Sequence, residues 1–131
     1  MLTRRKPLKR KPRKKQPGDD PAYLAWIRTL PCWICFKSSY ESGEIWAGLH
    51  LIQAGQFVCL QAFRTEAAHV GRRAYGRKCP DRQAMPLCGD AHHREGFHSH
   101  HRMGRYFWAH HNLDRDSIIR QLNERYDQLH V

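Results

Sequence analysis

The chain has 131 residues, 40% of them hydrophobic, so it suffices for one small domain whose modest core would gain from a bound metal ion. No stretch approaches the ~18 apolar residues that a bilayer span requires, so we expect no membrane partner. Five cysteines, an odd number, without an apolar secretory segment argue against a disulfide framework and favour a reducing, cytoplasmic compartment.

The net charge of +11 is concentrated near the N-terminus, because residues 16–131 carry 14 basic against 12 acidic groups. Residues 1–18 contain three prolines and almost no apolar residue, which favours a disordered arm followed by a single domain over residues 19–131. We expect the arm to bind nucleic-acid phosphates, although a solvated tail or a nuclear-localisation-like patch has the same composition. Its basic residues are Arg4, Arg5, Lys6, Lys9, Arg10, Lys11, Arg13, Lys14 and Lys15.

The first predicted helix follows the arm. Asp20 suits the N-cap and Pro21 the first helical position, and an apolar stripe recurs at helical spacing up to Pro31, where the helix should end. Cys32 and Cys35 come directly afterwards in a C-x-x-C, a spacing that lets two thiolates reach one tetrahedral ion. The stripe consists of Tyr23, Leu24, Trp26, Ile27 and Leu30.

The middle of the chain is mixed. Residues 36–56 receive no functional assignment, whereas Phe57–Leu60 and Thr65–Val70 are predicted to form two short strands, with His69 on the second. The connection Gly71–Arg82 that follows is rich in glycine and arginine, and it could either contact phosphates or form a solvated loop. Its candidate phosphate ligands are Arg72, Arg73, Arg77 and Lys78.

Helices are expected in the last third of the chain. The segment ending in Cys88 leads into a helix that can start near Asp90, and Gly104–Leu113 is apolar enough for a further helical turn. Asp114 or Asp116 is expected to cap a final helix. Its buried face should consist of Ile118, Ile119, Leu122 and Tyr126. The predicted fold is therefore α+β with little strand.

Three motifs occur in an order that resembles the HNH endonuclease superfamily. They are the C-x-x-C, the run TEAAHVG around His69, and PLC followed by the neighbouring His92 and His93. The resemblance covers roughly residues 30–112. The run GRYFWAHHNLD adds a similarity to small phage and prophage HNH-type proteins, including recombination-associated nucleases, so the resemblance implies a bacterial or phage-infected cytoplasm.

The resemblance implies a ββα-metal core with flanking helices and a structural zinc knuckle. It implies a metal-dependent endonuclease that hydrolyses DNA phosphodiesters, with His69 activating water and with His93 and His101 holding a catalytic Mg²⁺, Mn²⁺ or Zn²⁺ ion. A neutral imidazole can accept a proton near neutral pH, and a divalent ion stabilises charge on the scissile phosphate. The implied structural zinc ligands are Cys32, Cys35, Cys88 and His92.

Several ligand assignments stay open at this point. His98 and His100 are rivals of His101, and a continuous helix would separate His93 from His101 by about 12 Å, so a break between them is required. Cys59 or Cys79 could replace His92 at zinc. Many HNH motifs carry a metal-binding aspartate at the position of Ala68. The carboxylates that could compensate are Glu66, Asp81 and Asp90.

Two other functions fit the same composition. The first is a non-catalytic, zinc-stabilised DNA-binding or recombination accessory protein, which would need the zinc knuckle but no catalytic histidine. The second is an RNA-binding module that uses the basic arm. Seven histidines between positions 92 and 111, together with His69, favour the nuclease. The sequence gives no indication of the oligomeric state.

Overall fold

The computed structural model describes residues 14, 16–47, 65–71 and 79–129. Several predictions lie outside these residues. They are residues 1–13 and 15 of the basic arm, the strand Phe57–Leu60, Cys59, and the basic residues Arg72, Arg73, Arg77 and Lys78.

The described part is a small fold of helices and one two-stranded antiparallel sheet. The helices are α1 (Pro21–Thr29), α2 (Lys37–Ser42), α3 (Glu44–Ala47), α4 (His100–Met103), α5 (Tyr106–His110) and α6 (Arg115–Leu129). The strands are β1 (Thr65–His69) and β2 (Ala84–Cys88). A 3₁₀ turn (Asp81–Gln83) precedes β2, and a π-helical segment (Gly89–Arg94) follows it.

Helix α1 begins where the sequence predicts. The Asp20 side chain accepts a hydrogen bond from the Tyr23 backbone N–H at 3.2 Å, and Pro21 fills the first turn without needing a donor. The helix ends at Thr29, and Leu30 is already extended, as expected for a residue before proline. The backbone N–H of Trp33 then donates to the Pro86 carbonyl at 2.9 Å. This bond holds the C-x-x-C turn against β2.

Strand β1 pairs with β2, in a register that sets Thr65 opposite Cys88 and His69 opposite Ala84. The sequence motifs assign no element to residues 84–88 ahead of the helix expected near Asp90, so β2 is an addition to the prediction. Pro86 hides this strand in the sequence, because proline lacks a ladder donor and is rare within paired strands. Here it faces Ala67 across the sheet while its carbonyl accepts from Trp33.

Aromatic side chains of α1 and α6 form the centre of the core. The rings of Tyr23 and Tyr126 pack edge to face with centroids 5.1 Å apart, and Trp26 lies against Tyr126 at 5.4 Å. Ile118 and Leu122 of α6 are also buried, as the helical spacing predicts, whereas Ile119 is only partly covered. Helices α1 and α6 thus join through one apolar face.

Arg82 links the 3₁₀ turn to α1 and α6 through ring contacts and ion pairs. Its guanidinium lies over the rings of Tyr23 and Tyr126, at 5.0 and 4.6 Å from their centroids. It also donates to the carboxylates of Asp20 and Asp127, each at 2.9 Å. The position of the residue next to it, Asp81, is therefore fixed by contacts from two helices.

The helical structure is interrupted between His93 and His101, as their predicted proximity requires. The π-helical segment ends at Arg94, and α4 starts anew with the Ser99 side chain accepting from the Arg102 backbone N–H at 3.3 Å. Gly96 permits the intervening turn, since a Cβ there would collide with the Ala91 carbonyl. The helix expected over residues 104–113 is shorter and spans only Tyr106–His110.

Helix α6 is capped by Asp114, one of the two predicted caps, whose carboxylate accepts a hydrogen bond from the Ser117 backbone N–H at 3.2 Å. Among the described residues, no helix combines the length and the apolar content needed to cross a membrane.

Two leucines of α6 test this packing. We expect Leu122→Ala to lower the free energy of unfolding by about 2–5 kcal/mol, because Leu122 is fully buried and its loss leaves a cavity. Leu129→Ala is the control on the same helix, and it should change stability by less than ~0.5 kcal/mol because the side chain is exposed. Urea titration followed by circular dichroism measures both, and equal losses would contradict the described core.

Candidate metal centre and histidine pairs

Three cysteines and one histidine converge on a single point of the fold. The ligand atoms of Cys32, Cys35, Cys88 and His92 all lie within 4.8 Å of one another. The His92 Nδ1 atom is 3.5 Å from the sulfur atoms of Cys32 and Cys35 and 3.1 Å from that of Cys88. The sulfur atoms of Cys35 and Cys88 are 4.0 Å apart. The four residues are close enough to hold one metal ion.

These separations fit tetrahedral zinc. Bond lengths of about 2.3 Å to sulfur and about 2.0 Å to nitrogen give tetrahedral edges of roughly 3.8 Å between sulfurs and roughly 3.5 Å between sulfur and nitrogen. The observed distances of 3.5 and 4.0 Å lie close to these values, whereas the 3.1 Å between the His92 Nδ1 atom and the Cys88 sulfur is shorter. Three thiolates and one imidazole are a common donor set for structural zinc. The cluster is thus consistent with the structural zinc site that the sequence predicts.

Three local structures carry the four ligands. Cys32 and Cys35 lie in the turn after α1, which closes when the Phe36 backbone N–H donates to the Cys32 carbonyl at 3.0 Å. Cys88 is the last residue of β2, and His92 follows within the π-helical segment. Short π-helical stretches often occur at functional sites.

Hydrogen bonds within the cluster shift the pKa values of its members in opposite directions. Hydrogen bonds to the sulfur atoms of Cys32 and Cys88 raise the pKa of His92 to about 9. The hydrogen bonds from Cys32 and Cys35, with a further contribution from His92, lower the pKa of Cys88. Hydrogen bonds with Cys32 and Cys88 raise the pKa of Cys35, so the cluster retains protons that a bound divalent cation would displace, because metal ligands must be deprotonated.

Cys79 does not take part in this cluster. It is buried at 4% exposure, and it is absent from the group of converging ligands, so among the described cysteines it is not the alternative to His92. The other alternative, Cys59, lies outside the described residues.

His69, the predicted base, pairs with Asp81. Its Nε2 atom lies 2.8 Å from the Asp81 Oδ1 atom, with side-chain exposures of 28% for His69 and 4% for Asp81. The antiparallel register produces this contact, because His69 lies opposite Ala84 and the 3₁₀ turn directly before Ala84 carries Asp81. The imidazole thus reaches solvent while a buried carboxylate fixes one of its nitrogens.

His93 forms a second histidine–carboxylate pair, with Glu66 of β1. Its Nδ1 atom lies 2.9 Å from the Glu66 Oε1 atom, and Arg94 donates to the same oxygen at 2.9 Å. Gly89 makes room for the carboxylate, since a Cβ there would lie 2.7 Å from it. Burial lowers the pKa of His93 despite Glu66, which favours the neutral imidazole, the form that ligates metals.

His101 is the histidine that contacts His93. Their ring centroids are 4.6 Å apart, whereas His98 stacks on His110 at 4.2 Å. His100 packs against Phe107, with ring centroids 5.4 Å apart. The geometry therefore favours His101 over its two rivals as the neighbour of His93.

The structure does not gather all three predicted catalytic histidines into one cluster. Within the described ranges, only the zinc-type group brings three or more Cys, His, Asp or Glu ligands together. Glu66 and His69 are three residues apart on β1, a spacing of about 10 Å that places side chains on opposite faces of a regular strand. His93 and His101 thus form one local pair, and His69 with Asp81 forms another.

His111 packs within the fold. The His111 Nε2 atom lies 2.8 Å from the His98 carbonyl oxygen, and its ring packs on Phe107 with centroids 4.6 Å apart. Trp33 stacks on Tyr40 at 3.9 Å between centroids, which places both rings in the core rather than at a binding surface.

The described part of the chain is not basic. It contains all 12 acidic residues but only 10 of the 23 Lys and Arg residues, and the rest belong to the arm and to residues 64–78. Any strong attraction for a polyanion must therefore come from these two basic stretches.

Comparison of the chain with protein-family models, with curated proteins and with solved structures finds no match. The inference of function rests on the metal cluster and on the two histidine–carboxylate pairs.

Two cysteine substitutions test the metal centre. We expect the parent protein to contain about one equivalent of zinc and Cys88→Ser to lose it, because three ligands of this kind bind far more weakly than four. Cys79→Ser is the control, since this buried cysteine lies outside the cluster and the variant should keep its zinc. Elemental analysis of the purified proteins measures the content. Retention of zinc by Cys88→Ser, or its loss from Cys79→Ser, would refute the assignment.

Proposed function

We propose that the protein is a metal-dependent endonuclease of the HNH type that hydrolyses DNA phosphodiester bonds. The observation that carries the proposal is His69, a partly exposed imidazole whose Nε2 atom lies 2.8 Å from the buried Asp81 carboxylate, on the strand whose other end pairs with Cys88 of the zinc-type cluster. A histidine oriented by a carboxylate, with one nitrogen left free, is suited to accept a proton from water.

The zinc cluster has a structural task in this proposal. Its four ligands leave no open coordination position, so a zinc ion bound there cannot also activate water. Instead, the ion would join the end of α1 to the end of β2 and to the π-helical segment. It would thereby fix the strand that pairs with His69 and the segment that carries His93.

The chemical step requires a base and an electrophile at one phosphate. The His69 imidazole takes a proton from water while the water oxygen attacks phosphorus and forms a new P–O bond. The bond from phosphorus to the leaving sugar oxygen breaks, and that oxygen takes a proton from solvent. The products are a phosphate monoester and a free hydroxyl, so no oxidant or reductant is needed.

His93 and His101 are the residues that would hold the catalytic ion. Glu66 engages the Nδ1 atom of His93, which leaves Nε2 as the ligand nitrogen, an arrangement typical of metal-binding histidines. A bound Mg²⁺, Mn²⁺ or Zn²⁺ ion would supply stabilisation of the charge that develops on the phosphate. His69 and the His93–His101 pair are separate in the described structure, so catalysis requires a phosphodiester group within reach of both.

Substitution of His69 is the direct test. We expect His69→Ala to lower the rate of plasmid cleavage in Mg²⁺ or Mn²⁺ by about 10²–10⁴-fold, the usual contribution of a general base. His110→Ala is the control, because this exposed histidine stacks on His98 rather than on the proposed catalytic groups. Agarose gels of supercoiled, nicked and linear plasmid measure the rate, with circular dichroism to verify folding.

The same assay separates the proposal from a non-catalytic role. A zinc-loaded parent protein that binds the plasmid but cuts it with none of the divalent ions would favour the DNA-binding accessory function. Equal cleavage by the parent and His69→Ala would leave a nuclease with another base.

The basic arm is proposed to bind the phosphates of the DNA backbone. Replacing its nine Lys and Arg residues with Gln should weaken duplex binding and flatten the dependence of affinity on salt, because fewer counterions are released. Fluorescence anisotropy at several salt concentrations measures both effects, and the glutamines keep the length of the arm unchanged.

An unchanged salt dependence would show that the arm does not contact phosphates. The same titration with single-stranded RNA at matched salt addresses the remaining alternative, since tighter binding of RNA than of duplex DNA would favour an RNA-binding module.

A further inference from the structure

The contact between Asp81 and His69 determines which imidazole nitrogen can act. An ionised carboxylate only accepts hydrogen bonds, so the proton in the 2.8 Å contact belongs to the Nε2 atom of His69. A neutral imidazole carries one proton, and its other nitrogen, Nδ1, is then the acceptor. The partner of one nitrogen therefore fixes the tautomer of the whole ring.

Asp81 is itself held in place. Its Oδ2 atom accepts from the Asp20 backbone N–H at 2.8 Å, and its own backbone N–H donates to the Gly18 carbonyl at 3.0 Å. Arg82 next to it is bound to Asp20 and Asp127, so no ion pair with Arg82 is needed to explain the position of Asp81. With its side chain 4% exposed, the carboxylate presents a single oxygen to His69.

We infer that Asp81 is a positioning residue, which keeps the proton of neutral His69 on Nε2 and leaves Nδ1 free to accept the proton of the attacking water. This inference rests on the proposed function of His69 as the base. It also gives a reason for burying a carboxylate beside the backbone of Gly18 and Asp20, where an apolar residue would pack at lower desolvation cost.

The tautomer can be observed directly. We expect long-range ¹H–¹⁵N correlation spectra of the zinc-loaded parent protein, at a pH where imidazoles are neutral, to give the Nε2–H pattern for His69. The His69→Ala variant identifies the signals among those of ten histidines. A His69 ring in the Nδ1–H form, or in an averaged mixture, would overturn the inference without any substitution at Asp81.

Asp81→Asn reverses the direction of the hydrogen bond to His69 with little change in the shape of the side chain. The Asn carbonyl oxygen can still accept from the Asp20 backbone N–H, while its NH₂ group faces His69 and forces Nε2 to accept. The proton of His69 then moves to Nδ1. We expect the Nδ1–H pattern in the spectrum and a fall in kcat of at least ~100-fold, with DNA affinity and zinc content unchanged.

Asp127→Asn is the matched control, because it alters the same Arg82 network at an exposed site without touching His69. It should keep both the Nε2–H tautomer and the parent rate. Asp81→Asn with the parent tautomer, or with the parent rate, would exclude the positioning role. A parent protein that never cleaves DNA would remove the proposed nuclease function, yet the spectra would still decide whether Asp81 sets the tautomer.

Discussion

Convergence of three thiols and one imidazole on a single point is the constraint on which the rest of the structure depends. The cluster joins three segments that sequence separates, namely the turn after α1, the end of β2 and the π-helical segment. In a chain this short, apolar burial alone gives a marginal domain, and zinc coordination adds folding free energy. The same four ligands fix the sheet and the segment that carry the candidate catalytic residues.

The neighbouring histidines 92 and 93 illustrate how one local structure serves two sites. His92 turns its Nδ1 atom to the cysteine sulfurs, whereas His93 turns its Nδ1 atom to Glu66. A rigid position for His92 thus also fixes the backbone from which His93 extends. His69 is held by a separate set of contacts, because its partner Asp81 accepts a hydrogen bond from the Asp20 backbone N–H at the start of α1. As a result, His69 and His93 each have a carboxylate partner, which is buried for His69 and part-buried for His93.

The sequence predicts local features of this fold well, because they depend on neighbouring residues. The N-cap at Asp20, the four zinc-type ligands and the break before His101 all follow from short motifs. Strand β2 was missed because Pro86 is atypical of a paired strand, although both of its faces are buried. The partners of His69 and His93 could not be chosen among several carboxylates, since the choice depends on the register between β1 and β2.

X-ray absorption at the zinc edge tests the central constraint most directly, because it reports the atoms that surround the ion in the folded protein. We expect three sulfur ligands at about 2.3 Å and one nitrogen at about 2.0 Å. Four sulfur ligands would mean that another cysteine replaces His92. A shell of nitrogen and oxygen alone would mean that the cysteine cluster is not the zinc site.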